Sequence, residues 1–425
     1  MKAPSMISIE EALERILSYV HELEPETKPI EQALGQVLAD DVRSTLSIPP
    51  LANTAMDGYA VKAADTTGAS ETNPVELKVI GELAAGYIFE GEVGQGEAVR
   101  IMTGAPIPNG ADSIVPFEET NETTRSAPKG ARTLEESVKI LKAANPHANV
   151  RDAGEDIREG DTVLQKGRVL RPADIGVLAT VGRDTVSVIR RPVIAILSTG
   201  DELLEPGQRH KPGAIYDSNA WSLSALVEAY GGIPRRLGIA EDTIEALTEK
   251  VQEGRDADML VTSAGVSRGD YDVVKDVLAR EGDIDFWTVR MKPGKPLAFG
   301  AFENDGRTIP HLGLPGNPVS SMVSFELFGR PAIQKMMGKP LTPRPNVTAI
   351  SDDRITNIAD PRRFYARCIA EKRERGWHVK LAGGQGSGML SSMSRANALA
   401  ILPEGVEIVE PGDQVEVMLL EIDTF

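Results

Sequence analysis

Two hydrophobic patterns follow one another along the chain, and they predict where helices and strands lie. Near the start, Ala12, Ile16 and Val20 share one helical face behind an S-x-x-E capping box at residues 8–11, which predicts an N-terminal helix. Residues 193–197 are continuously apolar, as is typical of a strand buried on both faces of a parallel sheet. Strands and helical patterns then alternate, which predicts a parallel α/β sheet with right-handed crossovers.

The flanking segments have a different, strand-rich character. After the Pro49-Pro50 doublet, residues 53–117 contain short β-rich runs between glycine turns, which indicates a small β-rich domain. Residues 121–145 are polar, with a weak helical pattern around Leu134, Val138 and Leu141, and we interpret them as an inserted excursion or a mobile arm.

Three prolines between residues 340 and 345 form a stiff linker, and the strand-like runs beyond it predict a final, mostly β domain. The predicted fold class is therefore multidomain α/β plus β. A central parallel α/β domain is flanked by a helical and extended N-terminal domain, the β-rich domain and a C-terminal β-barrel-like domain. The predicted bounds are 1–50 with 145–182 for the N-terminal domain, 51–144 for the β-rich domain, 183–338 for the α/β domain and 339–425 for the C-terminal domain.

Composition excludes several classes of protein. Apolar residues make up 41% and charged residues 26%, an ordinary globular composition. The net charge of −17 argues against a protein that holds nucleic acid by its backbone. No apolar run reaches the ~20 residues of a membrane span and no secretory signal is visible, so we expect a cytoplasmic protein without membrane contact. Cys368 is the only cysteine, and we expect it to be a small buried residue rather than a nucleophile.

Candidate chemistry lies in four glycine-bearing turns of the α/β segment. Ligands of an open α/β sheet bind outside the carboxyl ends of its strands, where such turns converge. The turns contain carboxylates, which are suited to magnesium, and a lysine pair, which is suited to phosphate or another oxyanion. They occupy residues 199–202, 263–270, 292–295 and 314–317.

The second of these turns precedes a helix predicted to begin around Tyr271, whose N-terminus would favour a phosphate. Asp270 and Asp272 either favour the helix dipole or take part in the site. Neither a Walker A loop nor a dinucleotide G-x-G-x-x-G motif is present, and the five histidines show no zinc-hydrolase spacing. The predicted binding residues of the turns are Thr199, Gly200, Ser263, Gly265, Ser267, Gly269, Pro315, Gly316 and Asn317.

Read together, seven short motifs resemble one known family. The chain resembles molybdopterin molybdenumtransferase, which inserts molybdenum into molybdopterin and is related to the E domain of gephyrin. The resemblance runs nearly end to end. Its motifs lie at residues 55–61, 101–106, 154–157, 198–203, 215–219, 292–296 and 314–320.

The resemblance implies a reaction and a set of site residues. The substrates would be molybdate and adenylylated molybdopterin, whose phosphoanhydride is cleaved with Mg²⁺ as AMP leaves. Metal-binding or water-orienting roles would fall to Glu202, Asp242 and Asp272, and a further binding role to Ser387. Lys292 and Lys295 would bind either molybdate or the bridging phosphates. The full catalytic set implied is Asp57, Thr103, Glu202, Asp242, Asp272, Lys292 and Lys295.

Partners follow from the same resemblance. Family members are elongated homodimers with the cleft between subunits, so Asp57 and Thr103 would face the partner's α/β domain. Contact with molybdopterin adenylyltransferase and other cofactor-synthesis proteins is also implied.

Two departures from the family and two alternative functions complete the sequence picture. Ala264 stands where the family usually has glycine, which would narrow the approach of a ligand if its φ is positive. The excursion at 121–145 is longer than expected. One alternative is a non-enzymatic scaffold, as in the receptor-clustering role of the gephyrin E domain, which needs a peptide-binding groove near the last domain; the sequence shows no diagnostic recognition stripe. The other is a molybdopterin adenylyltransferase, which is normally a lone α/β unit. The β-rich flanks and the lysine pair favour insertion.

Overall fold

The chain folds into two compact units. The structure, a computed structural model, describes residues 6–122, 136–264, 277 and 280–420. The larger unit falls within Met1–Lys28, Gly35–Ala39 and Ser187–Phe425, and the smaller unit within Pro29–Leu34 and Asp40–Val186.

Helices and strands are numbered in chain order. The helices are α1 (Ile9–Ser18), α2 (Pro172–Thr180), α3 (Asn219–Ala229), α4 (Ile244–Gly254), α5 (Pro318–Ser324), α6 (Arg330–Met336) and α7 (Leu390–Arg395), with a π-helical turn at Phe325–Gly329. The first strands are β1 (Pro25–Pro29), β2 (Val42–Arg43), β3 (Asn53–Thr54), β4 (Gly58–Val61), β5 (Val75–Leu83), β6 (Glu97–Ile101), β7 (Ser113–Pro116), β8 (Ser137–Ile140), β9 (Val150–Arg151), β10 (Thr162–Leu164) and β11 (Thr185–Ile189). The later strands are β12 (Val193–Thr199), β13 (Leu203–Leu204), β14 (Ile215–Tyr216), β15 (Ile233–Ala240), β16 (Met259–Ser263), β17 (Asp283–Thr288), β18 (Met291–Lys292), β19 (Pro296–Asn304), β20 (Arg307–Leu314), β21 (Asn346–Ser351), β22 (Ile355–Thr356), β23 (Arg363–Arg373), β24 (Gly376–Leu381), β25 (Ala398–Leu402), β26 (Ile408–Val409) and β27 (Gln414–Leu419).

The smaller unit contains a five-stranded sheet in the order β7-β4-β6-β5-β8. Its core includes Tyr59, Leu77 and Val115, which agrees with the predicted β-rich character of this part of the chain. Residues 137–140 form a strand, so the weak helical pattern around Val138 was misleading. Val138 and Ile140 are both buried at a spacing of two, which is the period of a strand paired with β5.

The larger unit contains a six-stranded sheet in the order β15-β12-β16-β20-β19-β17. Strand β12 pairs in parallel with β15 and β16, and Ile194 to Leu197 are fully buried, as the continuous apolar run predicted. Ile194 and Ile196 pack in the core on one face of the sheet, and Ala195 and Leu197 in the core on the other. The central α/β sheet is therefore confirmed.

One strand of this sheet, β19, runs antiparallel to its two neighbours. It joins β20 through Asp305 and Gly306, whose φ angles of 49° and 78° suit a tight hairpin. Because two antiparallel steps restore the direction, β17 runs the same way as β20. The turn at 292–295 thus follows β17 at the same edge as the other three turns.

The C-terminal region closes into a five-stranded barrel, as predicted. Its strands follow the order β23-β24-β21-β27-β25, and β25 pairs back onto β23. Cys368 points into the barrel core and is fully buried. Burial raises the pKa of its thiol to about 12, which fits the predicted structural role.

Helix α1 also forms as its pattern predicts. The Ser8 hydroxyl accepts a hydrogen bond of 3.0 Å from the Glu11 backbone N–H and caps the first turn. Ile9, Ala12 and Ile16 bury the apolar face in the core of the larger unit.

Candidate active site

A cavity of about 650 Å³ opens at the carboxyl edge of the α/β sheet. Three of the predicted glycine turns contribute to its wall, together with the 215–219 segment and Gly388, which lies in the loop between β24 and α7. Of the predicted site residues, the wall contains Thr199, Glu202, Ser263, Pro315, Gly316 and Asn317.

The remaining predicted binding residues are not among the described residues of the wall. Gly200 and Ser387 are chain neighbours of wall residues but are not themselves part of the wall. Gly265, Ser267, Gly269 and Asp272 fall outside the described residues, as does the helix predicted near Tyr271.

Asn219 ties two of the turns together. Its Nδ2 donates to Ser263 Oγ at 2.7 Å and to the Gly316 carbonyl at 2.8 Å. The side chain is buried at the start of α3, so this link between two strand ends is shielded from water. The cavity edge is therefore fixed by a residue that belongs to neither strand.

Ala264 occupies a backbone region that favours glycine. Its φ is +82°, which costs an alanine roughly 1–2 kcal/mol. Gly316 faces it closely, because a Cβ on Gly316 would lie 3.3 Å from the Ala264 Cβ. Because φ is positive at Ala264, the alanine narrows the approach of a ligand, as expected from the sequence for that case.

Two further carboxylates, Asp201 and Asp242, interact with Glu202 of the cavity wall or with each other, although neither is itself part of the wall. The Asp242 backbone N–H donates to Asp201 Oδ1 at 3.2 Å. Burial, followed by the negative charges of Asp201 and Glu202, raises the pKa of Asp242. Gly200 has a φ of +142°, which favours glycine, and a Cβ there would lie 2.4 Å from Glu202 Oε2, so a larger residue would displace that carboxylate.

This group matches part of a magnesium site. Within the described stretches of chain, no three His, Cys, Asp or Glu side chains are arranged to hold a metal ion, and Asp272 is outside them. Mg²⁺ typically uses one or two carboxylates and completes its shell with water and substrate phosphates. A cation would also offset the burial of Asp242 and its repulsion by Asp201 and Glu202, which together raise the pKa of that carboxyl. Glu202 and Asp242 therefore fit Mg²⁺.

The two lysines do not form part of the cavity wall. Lys292 Nζ donates to Asn357 Oδ1 at 2.9 Å and lies 3.5 Å from Asp360 Oδ2. The Arg362 guanidinium, which hydrogen-bonds to Asp360, lowers the pKa of that carboxyl to about 2. Lys295 is exposed.

The lysine loop itself requires its glycine. Gly294 has a φ of +105°, and a Cβ there would lie 2.5 Å from Ser324 Oγ. The loop therefore packs tightly on the helical segment that follows the 314–317 turn.

Asp57 and Thr103 are paired in the smaller unit. Asp57 Oδ1 accepts from the Thr103 backbone N–H at 2.8 Å and from Thr103 Oγ1 at 2.6 Å. Gly58 has no space for a side chain, since a Cβ would lie 2.1 Å from the Val115 carbonyl oxygen. The structure thus brings this predicted pair together.

Arg367 is a candidate that the sequence argument missed. It is fully buried in β23, and burial lowers the pKa of its guanidinium to about 10. It donates to Ser392 Oγ at 3.1 Å and to the carbonyls of Gly384 and Gly386 at 3.0 Å. Among the described residues its Nη1 has no hydrogen-bond partner.

The loop that Arg367 holds leads to the cavity. The Val319 N–H donates to the Ser387 carbonyl at 3.1 Å, and the next residue, Gly388, is part of the wall. A buried arginine bonded to neutral oxygens retains uncompensated positive charge. The signal in the sequence is a single arginine within the otherwise apolar run at residues 364–370.

Comparisons with known proteins cover nearly the whole chain. The MoeA N-terminal region (domain I and II) matches residues 7–182, the probable molybdopterin binding domain 195–335 and the MoeA C-terminal region (domain IV) 351–420. Molybdopterin molybdenumtransferase 2 of Mycobacterium tuberculosis is 37% identical over 97% of this chain and 99% of its own. Molybdopterin molybdenumtransferase of Staphylococcus aureus is 34% identical over 98% of this chain and 96% of its own.

A solved structure gives the same result. The molybdopterin biosynthesis MoeA protein of Pyrococcus horikoshii is 32% identical, has a TM-score of 0.79, and the match covers 98% of this chain and 100% of that one. Fold and matches together define a transferase of molybdenum cofactor biosynthesis built around a molybdopterin-binding domain. The chain belongs to the molybdopterin molybdenumtransferase family. In the part of the chain that the structure describes, no helix is both long and apolar enough to cross a bilayer.

Proposed function

We propose that the chain inserts molybdate into adenylylated molybdopterin, with Mg²⁺-dependent cleavage of the phosphoanhydride and release of AMP. The observation that carries the proposal is the cavity at the carboxyl edge of the sheet. Its wall joins the Ser263 and Gly316 turns to Glu202, beside the raised-pKa carboxyl of Asp242. A binding wall and a cation-attracting group thus adjoin, as phosphoanhydride cleavage needs.

The carboxylates have a holding role in this proposal. Glu202 and Asp242 would hold Mg²⁺, which would supply charge neutralisation at phosphate oxygens. Asp201 fixes the backbone at Asp242 through its hydrogen bond of 3.2 Å. Asp272 completes the predicted set.

The cationic groups bind oxyanions. Lys292 and Lys295 supply compact positive charges near the strand ends. The fully buried Arg367 acts behind them by holding the loop that precedes Gly388 of the wall. Asn357 positions the Lys292 ammonium through a hydrogen bond of 2.9 Å. Interactions of this kind stabilise the charge that develops as the anhydride breaks.

The test is molybdate-dependent release of AMP. Purified protein is given adenylylated molybdopterin and Mg²⁺, with and without molybdate, and AMP is quantified. We expect release only when molybdate is present, and strong reduction in Glu202→Gln. Asp305→Asn, which changes an exposed turn carboxylate, is the matched control and should release AMP normally. Release without molybdate, or none in its presence, contradicts the proposal.

A further inference from the structure

Two buried oxygen atoms of cavity-wall residues have no partner. Asp217 is 2% exposed and Asn219 is 8% exposed, and both contribute to the wall. Among the described residues, Asp217 Oδ2 and Asn219 Oδ1 make no hydrogen bond. Buried acceptors are normally satisfied, so two of them beside one cavity point to a ligand that donates.

The other atoms of the same side chains are already engaged. Asp217 Oδ1 accepts from the Ala220 N–H at 3.0 Å and caps α3. Asn219 Nδ2 donates to Ser263 Oγ and to the Gly316 carbonyl. A flipped Asn219 amide would place its oxygen against the Gly316 carbonyl oxygen, so the unpaired atom of Asn219 is an acceptor.

The chemistry of the missing partner follows from these atoms. A phosphate or a molybdate oxyanion offers no hydrogen to an acceptor and would be repelled by the Asp217 carboxylate. A 2-amino-4-oxopyrimidine ring, as in pterin or guanine, presents an amino group next to a ring N–H. Those two donors suit the two unpaired acceptor oxygens, which belong to wall residues two positions apart in the chain.

The adjoining wall suits a flat ring. Ile215 and Tyr216 line the cavity and are 58% and 41% exposed, unusually accessible for large apolar side chains. The Tyr216 hydroxyl donates to the Gln208 carbonyl at 2.9 Å, which anchors the side chain. Apolar surface next to two acceptors is the arrangement expected of a heteroaromatic subsite.

We propose that Asp217 and Asn219 recognise the 2-amino-4-oxopyrimidine ring of the pterin, and that Asp217 makes the site selective for the 2-amino group. The inference rests on the proposed function for its choice of pterin over guanine. It places the ring end of the substrate at the 215–219 segment.

The test compares two fluorescent ligands that differ at one position. 6-Hydroxymethylpterin carries the 2-amino group, and 6-hydroxymethyllumazine has a carbonyl oxygen there instead. We expect the wild-type protein to bind the pterin at least tenfold more tightly than the lumazine. This comparison needs no variant and therefore does not depend on any variant folding.

Asp217→Asn sharpens the test because it replaces the free acceptor with an amide that can donate. We expect the pterin preference to fall at least tenfold and lumazine binding to strengthen, with the cap on α3 kept by the remaining oxygen. Asp305→Asn should leave both affinities unchanged. Thermal melting confirms that the variants are folded.

Each other outcome has a distinct meaning. Equal wild-type affinity for the two ligands, or an unchanged preference in Asp217→Asn, overturns the inference. Tighter binding of GMP than of pterin overturns the choice of pterin. Pterin selectivity without molybdate-dependent AMP release leaves the inference standing and contradicts the proposed function instead.

Discussion

At the scale of single residues, Ala264 shows how one side chain sets the shape of the cavity. Its backbone lies in the left-handed region at φ +82°, and its methyl group faces Gly316 across the wall. The sequence indicated only that a glycine was replaced. Only the structure shows that φ is positive, and the sign of φ decides whether the alanine narrows the approach of a ligand.

Ala264→Gly should stabilise the protein. Relief of the left-handed strain exceeds the added freedom of the unfolded chain, so we expect the free energy of unfolding to rise by about 0.5–1 kcal/mol. Urea unfolding measures the change. Gly316→Ala is the companion variant, because its added Cβ would lie 3.3 Å from that of Ala264. It should destabilise the wild-type protein but be tolerated beside Ala264→Gly, and equal costs in both backgrounds would contradict this account.

The lysine pair is a second residue-scale prediction. Lys292→Ala and Lys295→Ala should keep the fold and lower turnover by roughly 100-fold each, the usual cost of removing one group that stabilises developing negative charge. Steady-state AMP release measures this, and circular dichroism monitors the fold. Lys372→Ala, an exposed lysine on β23, is the control. Unchanged kinetics in both lysine variants would refute their oxyanion role.

At the scale of elements, the buried His311 between strands β16 and β20 makes the stability of the protein depend on pH. It is 1% exposed on β20, and its Nε2 lies 3.0 Å from Thr262 Oγ1 on β16. Burial lowers the pKa of the imidazole to about 3. The folded protein therefore holds His311 neutral over a range in which the unfolded chain binds a proton.

This difference predicts a loss of stability in acid. In the unfolded chain the imidazole has a pKa of about 6.5. Above that pH His311 is neutral in both states and does not lower the free energy of unfolding. Below it the unfolded state binds more protons than the folded state, so the free energy of unfolding decreases. It falls by up to about 1.4 kcal/mol per pH unit as the pH drops toward 3. Urea unfolding between pH 7 and 4.5 should show a shallower slope in His311→Asn than in wild type. The exposed His21→Asn should keep the wild-type slope, and an unchanged slope in His311→Asn would contradict the assignment.

Elements differ in how far the sequence predicted them. Strand β12 was predictable because Val193 to Leu197 are continuously apolar and the strand is buried on both faces. Strand β8 was misread because Leu134, Val138 and Leu141 imitate helical spacing. The reversal of β19 was not predicted, since only the Asp305-Gly306 turn marks it.

The features of the site also differ in how far the sequence predicted them. Turns at parallel strand ends meet by topology, so the convergence of Thr199, Ser263 and Gly316 followed from strand order alone. Side-chain pairings between residues far apart in the sequence could not be predicted from strand order. The bond from Asn219 to Gly316 spans 97 residues, and the burial of Arg367 depends on a loop that follows the next strand.

At the scale of the whole molecule, the family assignment and the chemistry rest on different support. Matches over 97% and 98% of the chain establish a molybdopterin molybdenumtransferase. We propose that anhydride cleavage and metal insertion are one coupled event at the cavity. Residues 265–276, which contain Asp272, lie outside the described structure, so that claim is best tested on the intact chain.

The most direct measurement is a single-turnover experiment. Excess protein is mixed with a limiting amount of adenylylated molybdopterin, Mg²⁺ and molybdate, and AMP and pterin-bound molybdenum are quantified at each time point. We predict that both products appear with one rate constant and in equal amounts. AMP that forms ahead of pterin-bound molybdenum, or in excess of it, would contradict the coupled mechanism.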